Sequence, residues 1–298
     1  AWREGLDCIS ITDHIEYTPH KEDLPKNLNR PYEIARDRAE EKNILLIHGA
    51  EITRDPDKLG HFNTIFLQDV NPLDNQDLMT VFQAAAEQKV FLFWNHPGWP
   101  DGKAEWGSVQ TELYEKGWMH GIEICNGDEY YPEAHQWALE KNLTILANSD
   151  IHQPSLDSIY TSENHRTITL VFARERSLEG IRESLDQRRT VVWYKNMLIG
   201  RADLLGALLA ECLMVSEPYK KDDKACWYNV KNVSHIDIVM KNNGGAGPDR
   251  IIFPAGRAMN LKISYPSGAK EFTIKYEVQN FLIAPDKGLI LEKSFSVN

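Results

Sequence analysis

Residues 1 to about 200 alternate short apolar runs with longer segments that have one apolar face. Most of the short runs lack polar alternation, which is typical of parallel strands buried on both faces. Their spacing is that of repeated βα units. The predicted strands are Leu6–Ile11, Ile44–Ile47, His61–Leu67, Val90–Trp94, Gly121–Ile124, Thr144–Ala147, Thr167–Phe172 and Val191–Trp193.

Three of the segments between these strands have clear helical periodicity. In Asp74–Lys89, apolar residues recur along one face. In Pro132–Lys141, the proline suits the first helical position. In Ser177–Arg189, Ser177 is predicted to cap the N-terminus, and basic residues at the far end suit the helix dipole. Strands and helices in this order predict an α/β fold, specifically a (β/α) barrel.

The pattern changes after Gly206. Residues 206–228 mix an apolar stretch, Ala207–Val215, with charged positions, and we interpret them as a connecting segment. Beyond it, apolar and polar residues alternate, as in Glu271–Val278, which is the period of a half-exposed antiparallel strand. The sequence therefore predicts a barrel over 1–205 and a small β-sandwich-like domain over 229–298. We expect the small domain to serve packing or subunit contact rather than carbohydrate binding, and the oligomeric state stays open.

Composition and charge narrow the function classes. The formal net charge of −11 argues against a nucleic-acid-binding surface, which needs clustered Lys and Arg. No apolar stretch reaches the roughly 18 residues of a membrane span. The four cysteines have no CxxC spacing, so they predict neither a zinc finger nor a disulfide framework. We expect a soluble protein, and the sequence does not distinguish a cytoplasmic from a periplasmic location.

Residues of metal-binding type follow the predicted strands. The carboxyl ends of parallel strands are where ligands and catalytic groups meet in α/β folds. Taken singly, each of these residues is as readily a structural histidine or a salt-bridge partner, but together they predict a polynuclear metal site. The candidate ligands are His14, Glu51, His61, His96, Asp150 and His152.

This donor set indicates hydrolytic chemistry. Imidazoles and carboxylates without cysteine suit two or three Zn, Mn or Fe ions. Such ions lower the pKa of bound water to roughly 7, so that hydroxide becomes available at neutral pH. A small phosphoester is the best-fitting substrate, since several metals can hold its non-bridging oxygens. Arg54 and Arg166 lie near site segments and could contact the phosphate, or form ordinary salt bridges instead. Four tryptophans could wall a cleft beside His96 or simply pack: Trp94, Trp99, Trp106 and Trp118.

The order of these motifs resembles the PHP superfamily, named for polymerase and histidinol phosphatase. The motifs are Thr12-Asp13-His14, Gly49-Ala50-Glu51, His61, Asn95-His96-Pro97-Gly98, Gly121-Ile122-Glu123 and Ser149-Asp150-Ile151-His152. Residues 165–181 and 189–194 resemble a phosphodiesterase branch more narrowly. The resemblance implies a distorted (β/α)7 barrel, similar to a TIM barrel, with two or three metals at its carboxyl face.

The resemblance also assigns ligands. It implies that Glu51, His61 and His96 hold one metal, and that Glu51 bridges to a second one bound by Asp150. His14 and His152 would hold a third. We expect Asp13 and Glu123 to orient these ligands from behind without binding a metal. No side chain is assigned a catalytic role of its own, because the nucleophile would be a metal-activated hydroxide.

One part of the family pattern is missing. Members begin with a His-x-His strand that supplies two further ligands, and nothing before His14 matches it. We therefore expect the first barrel strand to lie in a longer parent protein that is a hydrolase, and the chain beginning at Ala1 to be inactive alone. Two alternatives stay open: an amidohydrolase-like metal hydrolase, and a catalytically impaired PHP protein that binds a partner.

Overall fold

The computed structural model describes residues 1–19, 22–53, 60–153 and 165–297. The chain divides into two units. The first contains residues 1–148 and 171–189, and the second contains residues 149–170 and 190–298. The chain therefore passes from one unit to the other at 148/149, at 170/171 and at 189/190.

The first unit is an α/β structure. Two short 3-10 helices, Trp2–Glu4 and Asn71–Leu73, accompany its regular elements. Its helices are α1 (Arg30–Glu41), α2 (Leu78–Glu87), α3 (Ser108–Glu115), α4 (Pro132–Glu140) and α5 (Leu178–Asp186). Its strands are β1 (Cys8–Ile11), β2 (Leu45–Thr53), β3 (His61–Ile65), β4 (Phe91–Asn95), β5 (Met119–Asn126), β6 (Glu129–Tyr130) and β7 (Thr144–Asn148).

These seven strands form one sheet in the order β1-β2-β3-β4-β5-β6, with β7 also paired to β5. The pairs β1–β2, β4–β5 and β5–β7 are parallel, as expected. The prediction was wrong for β3, which runs antiparallel to β2 and β4. Thr53 and His61 are register partners, and the residues between them are too few for the crossover that parallel strands need.

The predicted closed barrel is not what the described strands form. The last two strands predicted for it are β8 (Ile168–Val171) and β9 (Thr190–Tyr194). They belong to a different sheet, because β9 turns back as a hairpin onto the next strand, β10 (Met197–Gly200). Lys195 has the positive φ of 52° that the tight turn requires. The sheet of the first unit is therefore a half-barrel, not a closed (β/α)7 or TIM-like barrel.

One part of the core of the first unit lies between its sheet and α5. Ile47, Phe93 and Leu185 are among its buried members, and Leu178 and Ile181 of α5 pack against them. The predicted cap is confirmed, since the Ser177 hydroxyl accepts a hydrogen bond from the Gly180 N–H at 2.9 Å. The helix predicted over 74–89 begins only at Leu78, because the Asp77 carboxylate accepts the Thr80 N–H and so caps it there.

The second unit is mostly β-structure. Besides β8–β10 it contains one helix, α6 (Ala202–Cys212), among the described residues. Its further strands are β11 (Leu213–Val215), β12 (Lys220–Lys221), β13 (Ala225–Asn232), β14 (Ile238–Asn242), β15 (Arg250–Phe253), β16 (Ala258–Ser264), β17 (Glu271–Ala284) and β18 (Lys287–Ser296).

These strands form two sheets. One runs β15-β14-β17-β10-β9-β8, with β18 paired to β17, and in the other β13 pairs with β11, β12 and β16. The segment 206–228, interpreted as a connection, differs from that expectation because it contains most of α6 and two strands that pair with β13. Among the described residues, no helix combines the length and the apolar character needed to cross a bilayer.

Candidate metal centre

Glu51, near the end of β2, is surrounded by three imidazoles. Its Oε1 lies 2.8 Å from Nδ1 of His61, 3.5 Å from Nδ1 of His14 and 3.8 Å from Nε2 of His96. Glu51, His61 and His96 are buried, and His14 is partly buried. Ligand atoms of His14, Glu51 and His61 all lie within 4.8 Å of one another. Four of the six predicted ligands therefore meet at one point of the first unit.

Strand pairing explains why these four side chains meet. His61 opens β3 opposite Thr53, and across the next pairing it faces Asn95, the residue before His96. His14 follows β1 and forms a parallel bridge with Glu51, in which the Ile15 N–H donates to the Glu51 carbonyl. The antiparallel direction of β3 brings the start of that strand, rather than its end, to the carboxyl edge of β2 and β4.

A hydroxyl that the sequence analysis did not single out orients His14. Thr53 Oγ1 lies 2.6 Å from Nδ1 of His14. A partner on one ring nitrogen fixes which nitrogen is protonated and which way the ring faces, as is common for metal-binding histidines. Thr53 is two residues from Glu51 on the same strand, so both side chains point to the same face of the sheet.

The charge state of Glu51 suits a metal ligand. Burial by itself raises the pKa of this carboxyl, but the contacts with His61 and His96 and the nearby His14 outweigh burial and lower the pKa to about 2. Glu51 is therefore ionised at neutral pH. The groups that lower its pKa are imidazoles, which bind divalent ions in their neutral form.

His61 provides the test of whether the residues fit a metal. The Nε2 atom of this buried ring makes no hydrogen bond within the part of the chain that the structure describes. A buried polar atom without a partner is costly, and native structures contain few of them. The other nitrogen of the ring, Nδ1, lies 2.8 Å from the ionised Glu51 carboxylate. An imidazole beside a carboxylate and two further imidazoles belongs to the donor set of Zn, Mn or Fe sites. The residues present therefore fit a divalent metal.

His96 is held in place from behind by Glu123 on β5. The His96 N–H donates to Glu123 Oε2 at 2.6 Å, and the amides of Asn126 and Asn148 donate to Oε2 and Oε1 at 2.9 and 2.6 Å. Burial raises the pKa of Glu123, against the influence of these donors and of His96. His96 has a positive φ of 24°, an unfavourable region for a side chain with a Cβ, so its N–H bond to Glu123 helps to maintain that conformation.

The other predicted residues are placed as follows. Asp150 and His152 belong to the second unit, with Asp150 Oδ1 3.6 Å from His152 Nδ1. Nη1 of Arg166 lies 3.5 Å from Ser149 Oγ in the same unit. The Asp13 side chain is exposed, although its carbonyl accepts the Glu51 N–H. Arg54 lies outside the described residues.

Sequence reasoning found the ligand-type residues but missed most of their supports. Glu123 was expected behind the ligands, but its partners Asn126 and Asn148 and the hydroxyl of Thr53 were not. Asn126 and Asn148 are the last residues of β5 and β7. Asparagine is also common where strands end in turns, so only the strand-end position could have indicated their role.

Comparison with known proteins gives the following. A two-domain protein from Bacteroides vulgatus that contains a predicted PHP-like metal-dependent phosphoesterase is 43% identical over 98% of this chain and 87% of its own, with a TM-score of 0.91. The Ig-like domain family matches residues 214–294. No curated protein matches the chain.

Two more distant structures also align. A proposed metal-dependent phosphoesterase from Bifidobacterium adolescentis is 14% identical over 62% of this chain and 86% of its own, with a TM-score of 0.40. An amidohydrolase from Chromobacterium violaceum is 14% identical over 50% of this chain and 78% of its own, with a TM-score of 0.35.

Proposed function

This chain belongs to the family of two-domain proteins that contain a PHP-like metal-dependent phosphoesterase domain, and we propose that it is itself a metal-dependent phosphoesterase. Its substrates would be phosphomonoesters or phosphodiesters. The observation that carries the proposal is the ionised, buried carboxylate of Glu51 within 3.8 Å of three imidazoles. The imidazoles hold this carboxylate in its ionised form, and an ionised carboxylate among imidazoles is a donor set suited to a divalent cation.

The metal ligands of the first unit would be His14, Glu51, His61 and His96. Zn, Mn and Fe suit these donors. When bound, such ions supply Lewis acidity toward the phosphoryl oxygens and lower the pKa of a water molecule to roughly 7.

The remaining roles belong to the protein's own side chains. Glu51 brings a permanent negative charge to a buried position, so positively charged ions concentrate there. Thr53 keeps the His14 ring in one orientation through Nδ1. Glu123, with Asn126 and Asn148, fixes the backbone of His96. These contacts hold the ligands in place before any ion arrives, and this limits the reorganisation that binding requires.

Metal content and hydrolysis, measured on the same preparations, test this proposal. The protein, its Glu51→Gln variant and a His235→Asn variant would be loaded with Zn, Mn or Fe, dialysed and analysed by plasma mass spectrometry. His235 is an exposed histidine of the second unit and serves as the matched control. We expect stoichiometric metal in the protein and in the control, and a loss of at least about 100-fold in affinity in Glu51→Gln, because changing even a residue behind a ligand costs about 10- to 100-fold.

Phosphate release from aryl phosphates and aryl phosphodiesters is then measured on the loaded forms. Metal-dependent hydrolysis that is lost in Glu51→Gln and kept in His235→Asn supports the proposal. Equal metal content in all three forms would place the ions elsewhere. Tight metal binding without hydrolysis of either ester class would reject the phosphoesterase function while keeping the metal site.

A further inference from the structure

A half-exposed tryptophan lies against the candidate metal centre. The indole of Trp99 has its centroid 5.1 Å from the ring of His61 and 5.9 Å from the ring of His96. It covers part of both imidazoles, yet 48% of its own surface faces solvent. Large apolar side chains normally bury their surface, so an exposed ring beside a reactive centre indicates a surface that a ligand covers.

The position of Trp99 is fixed by its surroundings. The backbone N–H of Trp99 donates to the backbone carbonyl of His96 at 2.9 Å, and this bond closes a turn directly after that predicted ligand. Before it, Gly98 packs so closely on Tyr131 that an added Cβ would lie 2.7 Å from the phenol ring. Tyr131 is buried, and its hydroxyl donates to Glu129 at 2.6 Å. The exposed indole is therefore attached to well-packed backbone, as a preorganised binding surface should be.

Trp94, five positions earlier, shows what ordinary packing looks like in this unit. It is 3% exposed and stacks on Trp137 at a centroid distance of 5.8 Å, with only 11° between the ring planes. Trp94 has its ring faces covered by protein, whereas Trp99 leaves surface open next to the ligands. The contrast separates a structural tryptophan from one that is available to a bound molecule.

We propose that Trp99 is a stacking surface that favours phosphoesters whose organic group carries a planar aromatic ring. The inference rests on the proposed function, since it needs a phosphoryl group bound at the metal centre that His61, His96 and Glu51 would hold. The ester substituent of a phosphate held there would project beside the indole, and a flat ring can stack on it. Aromatic stacking adds to simple burial of apolar surface, so planar rings gain over saturated rings of similar size.

Phenylphosphonate and cyclohexylphosphonate form a matched pair of probes for this idea. Both carry the same phosphonate on a six-membered ring, only the first ring is flat and aromatic, and the carbon–phosphorus bond keeps a phosphoesterase from hydrolysing either. Their affinities for the metal-loaded protein would be measured by calorimetry, with inorganic phosphate as a third ligand. We expect phenylphosphonate to bind about 3- to 10-fold more tightly than cyclohexylphosphonate, the gain typical of aromatic pairs beyond area burial.

Three variants make the test specific. Trp99→Phe keeps an aromatic ring and should keep most of the preference, while Trp99→Leu should lose it without weakening inorganic phosphate. Trp118→Leu, at another partly exposed tryptophan of the same unit, is the matched control and should behave as the unchanged protein. Proton NMR gives a second readout, because stacking on an indole shifts the phenyl signals upfield, and this shift should vanish in Trp99→Leu.

The outcomes separate the two proposals. Equal affinities for the two phosphonates in the unchanged protein, or a preference that survives Trp99→Leu, would overturn the stacking role. Binding of inorganic phosphate would still support the proposed function. Loss of metal in Trp99→Leu without any ring preference would mean that Trp99 only shields the imidazoles. If inorganic phosphate did not bind the metal-loaded protein, the proposed function would fail, and the stacking role with it.

Discussion

Buried polar side chains in the two units can differ in whether the chain supplies their hydrogen-bond partners. In the second unit, the buried amide of Asn232 donates to the carbonyls of Ile236 and Phe253, each at 2.8 Å, and its oxygen accepts both the N–H and the hydroxyl of Ser234. In the first unit, Nε2 of His61 and Oδ1 of Asn63 are buried without a hydrogen bond to any described residue.

This difference separates polar groups that stabilise the fold from polar groups that bind a ligand. A polar group whose partners are all supplied by the same chain ties loops and strands together. A buried group without such partners is kept at a cost, and the usual reason is a ligand that supplies the partner. From this comparison we infer that Asn232 stabilises the fold of the second unit, and that the residues around Glu51 bind a ligand.

The largest expected change in stability comes from removing the Asn232 amide. Asn232→Ala would leave two carbonyls and the N–H and hydroxyl of Ser234 without their partner, and we expect a loss of about 3 to 4 kcal/mol in the free energy of unfolding. Urea denaturation followed by far-ultraviolet circular dichroism would measure it. A loss below about 1 kcal/mol would contradict this inference, because the hydrogen bonds of Asn232 would then contribute little to stability.

Acid should weaken the metal-free first unit by about 3 kcal/mol through Glu51. The pKa of this carboxyl falls from 4.5 to about 2 on folding, so its contribution is fully present above pH 4.5 and is lost as the pH falls toward 2. Acid unfolding of the metal-free protein and of Glu51→Gln would show this. The variant should lose less stability over that pH range, and parallel curves would contradict the assignment.

Metal should stabilise the first unit selectively. An ion at about 100 times its Kd adds about 2.7 kcal/mol to the state that binds it. For a unit of this size, that corresponds to a rise of roughly 5 to 10 °C in Tm. Differential scanning calorimetry with and without Zn or Mn, on the protein and on Glu51→Gln, would measure the shift. An equal shift in both forms would indicate binding away from Glu51.

The smallest expected change in stability comes from Asn63, a buried polar residue of the first unit. Asn63→Leu removes an amide whose oxygen has no hydrogen bond to a described residue, and leucine has the same branching as asparagine. We expect the free energy of unfolding of the metal-free protein to change by less than about 1 kcal/mol, because no partner is left behind. Urea denaturation alongside Asn232→Ala checks this, and a loss as large as in that variant would show that burial alone decides the cost.

The sequence predicted the positions of the strands better than their arrangement. Apolar runs located all eight predicted strands, because burial on both faces leaves a continuous signal. The direction of β3 left no such signal, since an apolar strand looks the same in either direction. Helix α1 was missed because it is polar, with Ala39 as its one buried residue. Helix α6 was divided by the predicted domain boundary.

For the candidate site, too, the sequence predicted the residues better than the contacts that depend on strand arrangement. The convergence of His14, Glu51, His61 and His96 could be predicted, since strand ends meet at one edge of a sheet. The bond from Asn148 to Glu123 could not, because it depends on β7 lying beside β5, and local sequence does not show which distant strands pair. Assignment of metal ions to these residues, and to Asp150 and His152, stays a prediction.

The repeated passage of the chain between the two units limits how the protein can be divided into fragments. A piece covering only the Ig-like match, residues 214–294, would lack β8, β9 and β10, and β10 is the parallel neighbour of β17. Such a piece would expose the backbone of a long strand and invite aggregation. Residues 171–189, which include α5, would in turn be lost from any fragment that ends at 148. Expression trials and gene fusions should therefore keep both units in one continuous reading frame.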